Sequence, residues 1–174
     1  MKRGEDNRGF SMVEIIVTIA ILVILAATAI RSIAYLNHGN AKKCMGQLES
    51  TLDRVQSETL GKETTPYLYV FKSDKGYRMV TSTNKNLTWA ELNSMTSTAL
   101  GGNNLKLTAK NMVTASGTKI NSDLSGGEVL RLGFQKSTGA FLSDSYCESI
   151  VLTGNGGSTR TLYLVERTGK HYVE

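Results

Sequence analysis

From Phe10 to Ile30 the chain is apolar at every position except Ser11, Glu14, Thr18 and Thr28. A helix over this stretch is about 31 Å long, the thickness of a hydrocarbon core, so the pattern predicts a helix that can cross a membrane. Beyond it the spacing tightens to one face. Ala41, Cys44, Met45, Leu48, Leu52 and Val55 recur every three or four residues with Lys42, Lys43, Glu49, Asp53 and Arg54 between them, which predicts an amphipathic second half lying on a folded domain. Asn37-His38-Gly39-Asn40 interrupts the pattern with four poor helix formers and predicts a weak spot or kink. Gly61, Lys62 and Pro66 mark the exit from the helix.

After Pro66 the period changes to that of strands. Tyr67 to Phe71 and Tyr77 to Thr81 flank Ser73-Asp74-Lys75-Gly76 and predict a hairpin. Thr88-Trp89-Ala90-Glu91 has the capping-box form, and Leu92, Met95 and Leu100 behind it predict a short helix ending at Gly101-Gly102. The polar segment from Asn103 to Gly127 gives only a weak strand signal around Leu105 to Thr108 and reads as a variable surface loop. Glu128 to Phe134, Tyr146 to Leu152 and Thr159 to Val165 read as strands, with Ala140-Phe141-Leu142 as a short addition and Gly154 to Ser158 as a hairpin turn. Antiparallel hairpins on the amphipathic half of a long helix make an α+β fold.

Composition narrows the function. Twenty Lys and Arg against fifteen Asp and Glu give a formal charge of +5, spread along the chain instead of gathered into a basic block, which speaks against a dedicated nucleic-acid binder. The two histidines, His38 and His171, and the two cysteines, Cys44 and Cys147, have neither zinc-ligand nor CxxC spacing. No catalytic residue, metal ligand or cofactor motif stands out, and the glycines at Gly154 to Gly157 lack the Lys-Ser/Thr ending of a phosphate-binding loop. The chain is therefore not expected to be an enzyme. In an exported protein Cys44 and Cys147 can close a bridge worth about 4–5 kcal/mol in chain entropy. Two separate thiols, with Cys44 filling the apolar helix face, are the alternative.

Glu14 is a carboxylate near one end of a lipid-compatible helix, where an ionised group at mid-membrane costs about 2.5–3.5 kcal/mol. It either reaches the interface or awaits a cationic partner. Gly9-Phe10-Ser11-Met12-Val13-Glu14, behind a charged leader with Lys2, Arg3 and Arg8 and directly before the apolar run, resembles the class III signal of type IV pilins and pseudopilins. That resemblance implies cleavage by a prepilin peptidase between Gly9 and Phe10 and methylation of the new N-terminal Phe10. It further implies that Glu14 meets the Phe10 ammonium of a neighbouring subunit during assembly. The partners it implies are other pilin subunits, the peptidase, and a membrane platform with its assembly ATPase.

The organisation expected is a leader at 1–9, a transmembrane and filament-core helix at 10–30, an amphipathic continuation at 31–62, and a globular head with an antiparallel sheet at 63–174. The resemblance implies a structural pilin, major or minor, held in the membrane by one span before assembly and extracellular in a pilus afterwards. A pseudopilin of a secretion or DNA-uptake machine shares the same N-terminal logic. A membrane-tethered binding domain that never polymerises is a reading from a different class. Ala27-Thr28-Ala29 also has the form of a secretory cleavage site, which would instead make the run a removable signal.

Overall fold

Helix α1 covers Met12–Gly61, ending at the glycine the sequence marks as its exit. The protein is represented by a computed structural model, which describes residues 11–102, 104–114, 116–125, 127–154 and 157–174, without the side chains of 27–39. The chain forms two compact units, Met1–Leu36 and Asn37–Glu174. Their boundary adjoins the predicted weak spot Asn37–Asn40, yet the backbone there is helical.

In the first unit every apolar side chain described between Met12 and Leu25 is exposed, around the whole circumference of the helix. Among the described residues no helix is long and apolar enough to cross a membrane. The predicted span of residues 10–30 reaches outside the described side chains at both ends, leaving 11–26 between them.

The second unit begins with the amphipathic half of α1, and the predicted stripe is the buried one: Ala41, Leu52 and Val55 are fully enclosed, and Cys44, Met45 and Leu48 nearly so. It is followed, among the described residues, by β1 (Tyr67–Ser73), β2 (Gly76–Ser82), α2 (Trp89–Ser94), β3 (Thr98–Gly101), β4 (Leu105–Val113), β5 (Lys119–Ser122), β6 (Val129–Gly133), β7 (Ser149–Gly154), β8 (Thr159–Leu164) and β9 (His171–Val173). The strands form two antiparallel sheets where the sequence predicts one. The first has the order β3-β2-β1-β6 and the second β5-β4-β7-β8-β9.

Both sheets share one core with α1. Leu68, Val70, Met79, Leu130 and Leu132 enter it from the first sheet, and Leu107, Ala109, Ile150, Leu152, Leu162 and Leu164 from the second. The opposite face of the first sheet is also covered, because Tyr67, Tyr69, Phe71 and Val80 pack with Leu92 of α2 and with Trp89. This burial on both faces explains why β1 reads Tyr-Leu-Tyr-Val-Phe without alternation.

The β1–β2 hairpin forms as predicted, with Ser73 opposite Gly76 and Asp74-Lys75 as a two-residue loop. The capping box at α2 forms too: Thr88 Oγ1 accepts from Glu91 N, and the Glu91 carboxylate accepts from Thr88 N at 2.8 Å. The helix stops at Ser94, however, and Leu100 belongs to β3, whose pairing with β2 outweighs the helical spacing. The largest correction concerns Asn103 to Gly127. Within it, Leu105–Val113 form β4, an interior strand between β5 and β7, and Lys119–Ser122 form β5. Leu105, Leu107 and Ala109 point inward while Lys106, Thr108 and Lys110 point out, and a register shift at Asn111, with φ of 51°, turns Met112 back to the core. Ala140 to Leu142 contributes only an isolated bridge between Phe141 and Phe134. β7 and β8 pair antiparallel, and Gly154 N–H donates to the Ser158 carbonyl at 2.9 Å, while Asn155 and Gly156 of the predicted turn lie outside the described residues.

Candidate functional site

Gly9 and Phe10, the predicted processing pair, lie outside the described residues. The site visible in the structure therefore starts at Ser11, whose carbonyl accepts the first helical bond from Ile15 N at 3.2 Å. Glu14 sits in the first turn of α1, where a carboxylate faces the positive end of the helix dipole. Its side chain is exposed, and among the described residues it has neither a hydrogen bond nor an ion pair. Thr18, the next polar position, hides its hydroxyl by donating to the Ile15 carbonyl at 2.9 Å. Such back-bonding lets a hydroxyl sit in apolar surroundings. Among the described residues, the start of α1 is thus apolar on all sides, with Glu14 its one carboxylate and without a partner there. A helix of this kind is stable in water only when lipid or other helices cover it.

Cys44 and Cys147 are both free and buried, and both belong to the core shared by α1 and the two sheets. Cys44 donates to the Leu100 carbonyl from the helix face, and burial pushes its thiol up. Cys147 is fully enclosed, and burial pushes its thiol further up. The low charge of a thiol in this state makes both cysteines packing residues and poor nucleophiles. Tyr146 beside Cys147 donates to the Leu164 carbonyl at 2.8 Å, and burial raises its hydroxyl to about 12.

His171, on β9, has its ring almost wholly covered beside Phe134 and Phe141. Its Nδ1 lies 3.1 Å from the Gly169 carbonyl, and its Nε2 lies 3.0 Å from Asp53 Oδ1 without hydrogen-bond alignment. Together with Gln56, which donates to the carbonyls of Gly139 and Gly169, this contact fastens the C-terminal strand to α1. It is a structural clasp that the isolated histidine in the sequence does not announce. Among the described residues no group of three His, Cys, Asp or Glu side chains is placed to hold a metal ion.

Comparison with known families adds one finding. Residues 6–30 match the prokaryotic N-terminal methylation motif, the class III signal of type IV pilins and prepilins. No curated protein and no solved structure matches the chain. The match covers the N-terminal segment alone, which is similar there to the signal of type IV pilin-like and pseudopilin-type exported proteins.

Proposed function

We infer that the protein is a structural subunit, major or minor, of a type IV pilus. It is exported through its class III signal, cut between Gly9 and Phe10, methylated at Phe10, and polymerised through the apolar half of α1. The observation that carries this reading is the junction of the methylation motif with a helix whose described side chains from Met12 to Leu25 are apolar on all sides apart from Glu14 and Thr18, with Glu14 lacking a partner among the described residues. Lipid covers such a helix before assembly and neighbouring helices cover it afterwards, so the same side chains serve as anchor and as filament core.

Glu14 gives that packing its register. A buried carboxylate is costly alone and tolerable when the neighbouring subunit brings its Phe10 ammonium to the same place. A shifted neighbour leaves both charges unpaired, whereas apolar contacts alone slide at little cost. The partners in this reading are identical or related subunits, the prepilin peptidase, and a membrane platform driven by an assembly ATPase. We assign the chain no catalytic role and no cofactor.

The deciding experiment is the mass of the first tryptic peptide of protein recovered from expressing cells, followed by the subunit content of sheared surface filaments. A methylated Phe10 start with filaments built mainly of this chain supports a major pilin. The same start with trace incorporation supports a minor pilin, and absence from any surface filament supports a pseudopilin. A start after Ala29, or retention of Met1 to Gly9, overturns the reading.

A further inference from the structure

The second unit contains a cavity of about 400 Å³ between α1, the β1–β2 turn and the residues Gly102 and Asn104 beside β3 and β4. Helix α1 turns Asn40, Lys43 and Gln47 toward it, spaced so that they share one face. Lys75 reaches it from the hairpin turn and Asn104 from the start of β4's connection. Among the described residues, none of these five side chains has a hydrogen bond or ion pair within the chain, and no carboxylate lines the cavity. Its floor is apolar, made by Cys44, Leu100 and Leu105. Glycine shapes that floor: a Cβ at Gly101 would overlap Leu105, and one at Gly76, whose φ is 108°, would overlap the Gly101 carbonyl.

We propose that this cavity binds a monosaccharide-sized acidic sugar, a polyhydroxylated ring bearing one oxyanion. Two ammonium groups without a carboxylate leave positive charge for one anionic group, which they bind with charge-assisted bonds. Three carboxamides, each both donor and acceptor, match ring hydroxyls, which are also both. The apolar floor takes the C–H face of the ring. The volume falls at the small end of the range of about 300–1,000 Å³ usual for ligand pockets. A uronic acid and a sugar phosphate share this chemistry, and the proposal stands whether or not the chain polymerises.

The test is calorimetric titration of the full chain in neutral detergent micelles with glucuronate, glucose 6-phosphate, glucose and inorganic phosphate. Saturable binding of glucuronate, glucose 6-phosphate or both is expected, with glucose and inorganic phosphate weaker by about tenfold or more. Which acidic sugar binds more tightly identifies the source of the oxyanion. Joint replacement Lys43→Ala and Lys75→Ala should weaken that binding by about tenfold or more, while Lys119→Ala on β5 leaves it unchanged. Both cavity lysines are exposed, so the double variant keeps the fold, which its unfolding midpoint checks. Inorganic phosphate binding as tightly as the acidic sugars means an adventitious ion only and overturns the proposal. So does undiminished binding by the double variant, or the absence of saturation with either acidic sugar.

Discussion

The hydroxyl of Tyr77, on the first sheet, accepts a hydrogen bond from the backbone N–H of Leu107 on the second at 3.1 Å. It donates in turn to the Asp123 carbonyl at 3.3 Å. The bond meets a need of the backbone, because β5 pairs with β4 only from Ala109 onward and leaves the Leu107 donor without a strand partner on that side. One phenol thus closes the end of one sheet and ties it to the other. Tyr77→Phe keeps the ring and orphans a buried donor, so it should cost about 1–3 kcal/mol. Urea unfolding of the full chain in micelles measures this, and a loss below a few tenths of a kcal/mol means water replaces the phenol.

Gly169 and Gly139 offer a matched pair. Both have positive φ, 68° and 72°, and both carbonyls accept from Gln56. A Cβ at Gly169 would overlap the Gly139 carbonyl, whereas one at Gly139 meets only ordinary contacts with Gln56 and Leu60. Gly139→Ala should therefore cost about 1–2 kcal/mol for backbone conformation alone, and Gly169→Ala distinctly more. Equal losses in the same unfolding experiment would show that the overlap relaxes freely.

The Asp144 carboxylate gives the head a small acid sensitivity. The hydrogen bond from Lys85, 2.6 Å away, is the main force holding it below its usual range, with Ser145 and Arg131 adding to the effect against some desolvation. A carboxyl depressed in the folded state stabilises above its unfolded value of about 3.9, and that contribution is lost as pH falls through the folded value. Wild type should melt slightly above Asp144→Asn near neutrality, the gap closing in acid. Since the pair is about half exposed, the gap is modest. A gap that persists unchanged well below pH about 3 assigns it to packing instead.

Free thiols make a direct chemical prediction. A peptide map under non-reducing conditions should yield Cys44 and Cys147 on separate peptides. During native alkylation Cys44, at the floor of the cavity, should react first, and fully enclosed Cys147 only after unfolding. Recovery of a Cys44–Cys147 cross-linked peptide from native protein contradicts the arrangement described.

Replacement of Glu14 separates assembly from folding. Glu14→Ala should leave the unfolding midpoint of the head unchanged, because the carboxylate has no partner in its own chain among the described residues. Filament yield should fall strongly at unchanged subunit level. Full yield would remove the charge pair from the assembly reading.

Local features were legible in the sequence because local chemistry decides them. The helix stripe from Ala41 to Val55, the hairpin around Asp74-Lys75, the capping box from Thr88 to Glu91 and the methylation motif all depend on residues within a few positions of one another. The sequence by itself determined the α+β class and the family of the N-terminal signal. Tertiary structure decided what depends on distant partners. Strand β4 has a half-polar sequence that becomes interior only because β5 and β7 flank it, and β9 is three residues long and held by its pairing with β8. The division into two sheets, the Tyr77 link and the convergence of Lys43 with Lys75 join residues far apart in the chain. Their pairing follows from which apolar faces α1 can bury at once, and no short stretch of sequence carries that information.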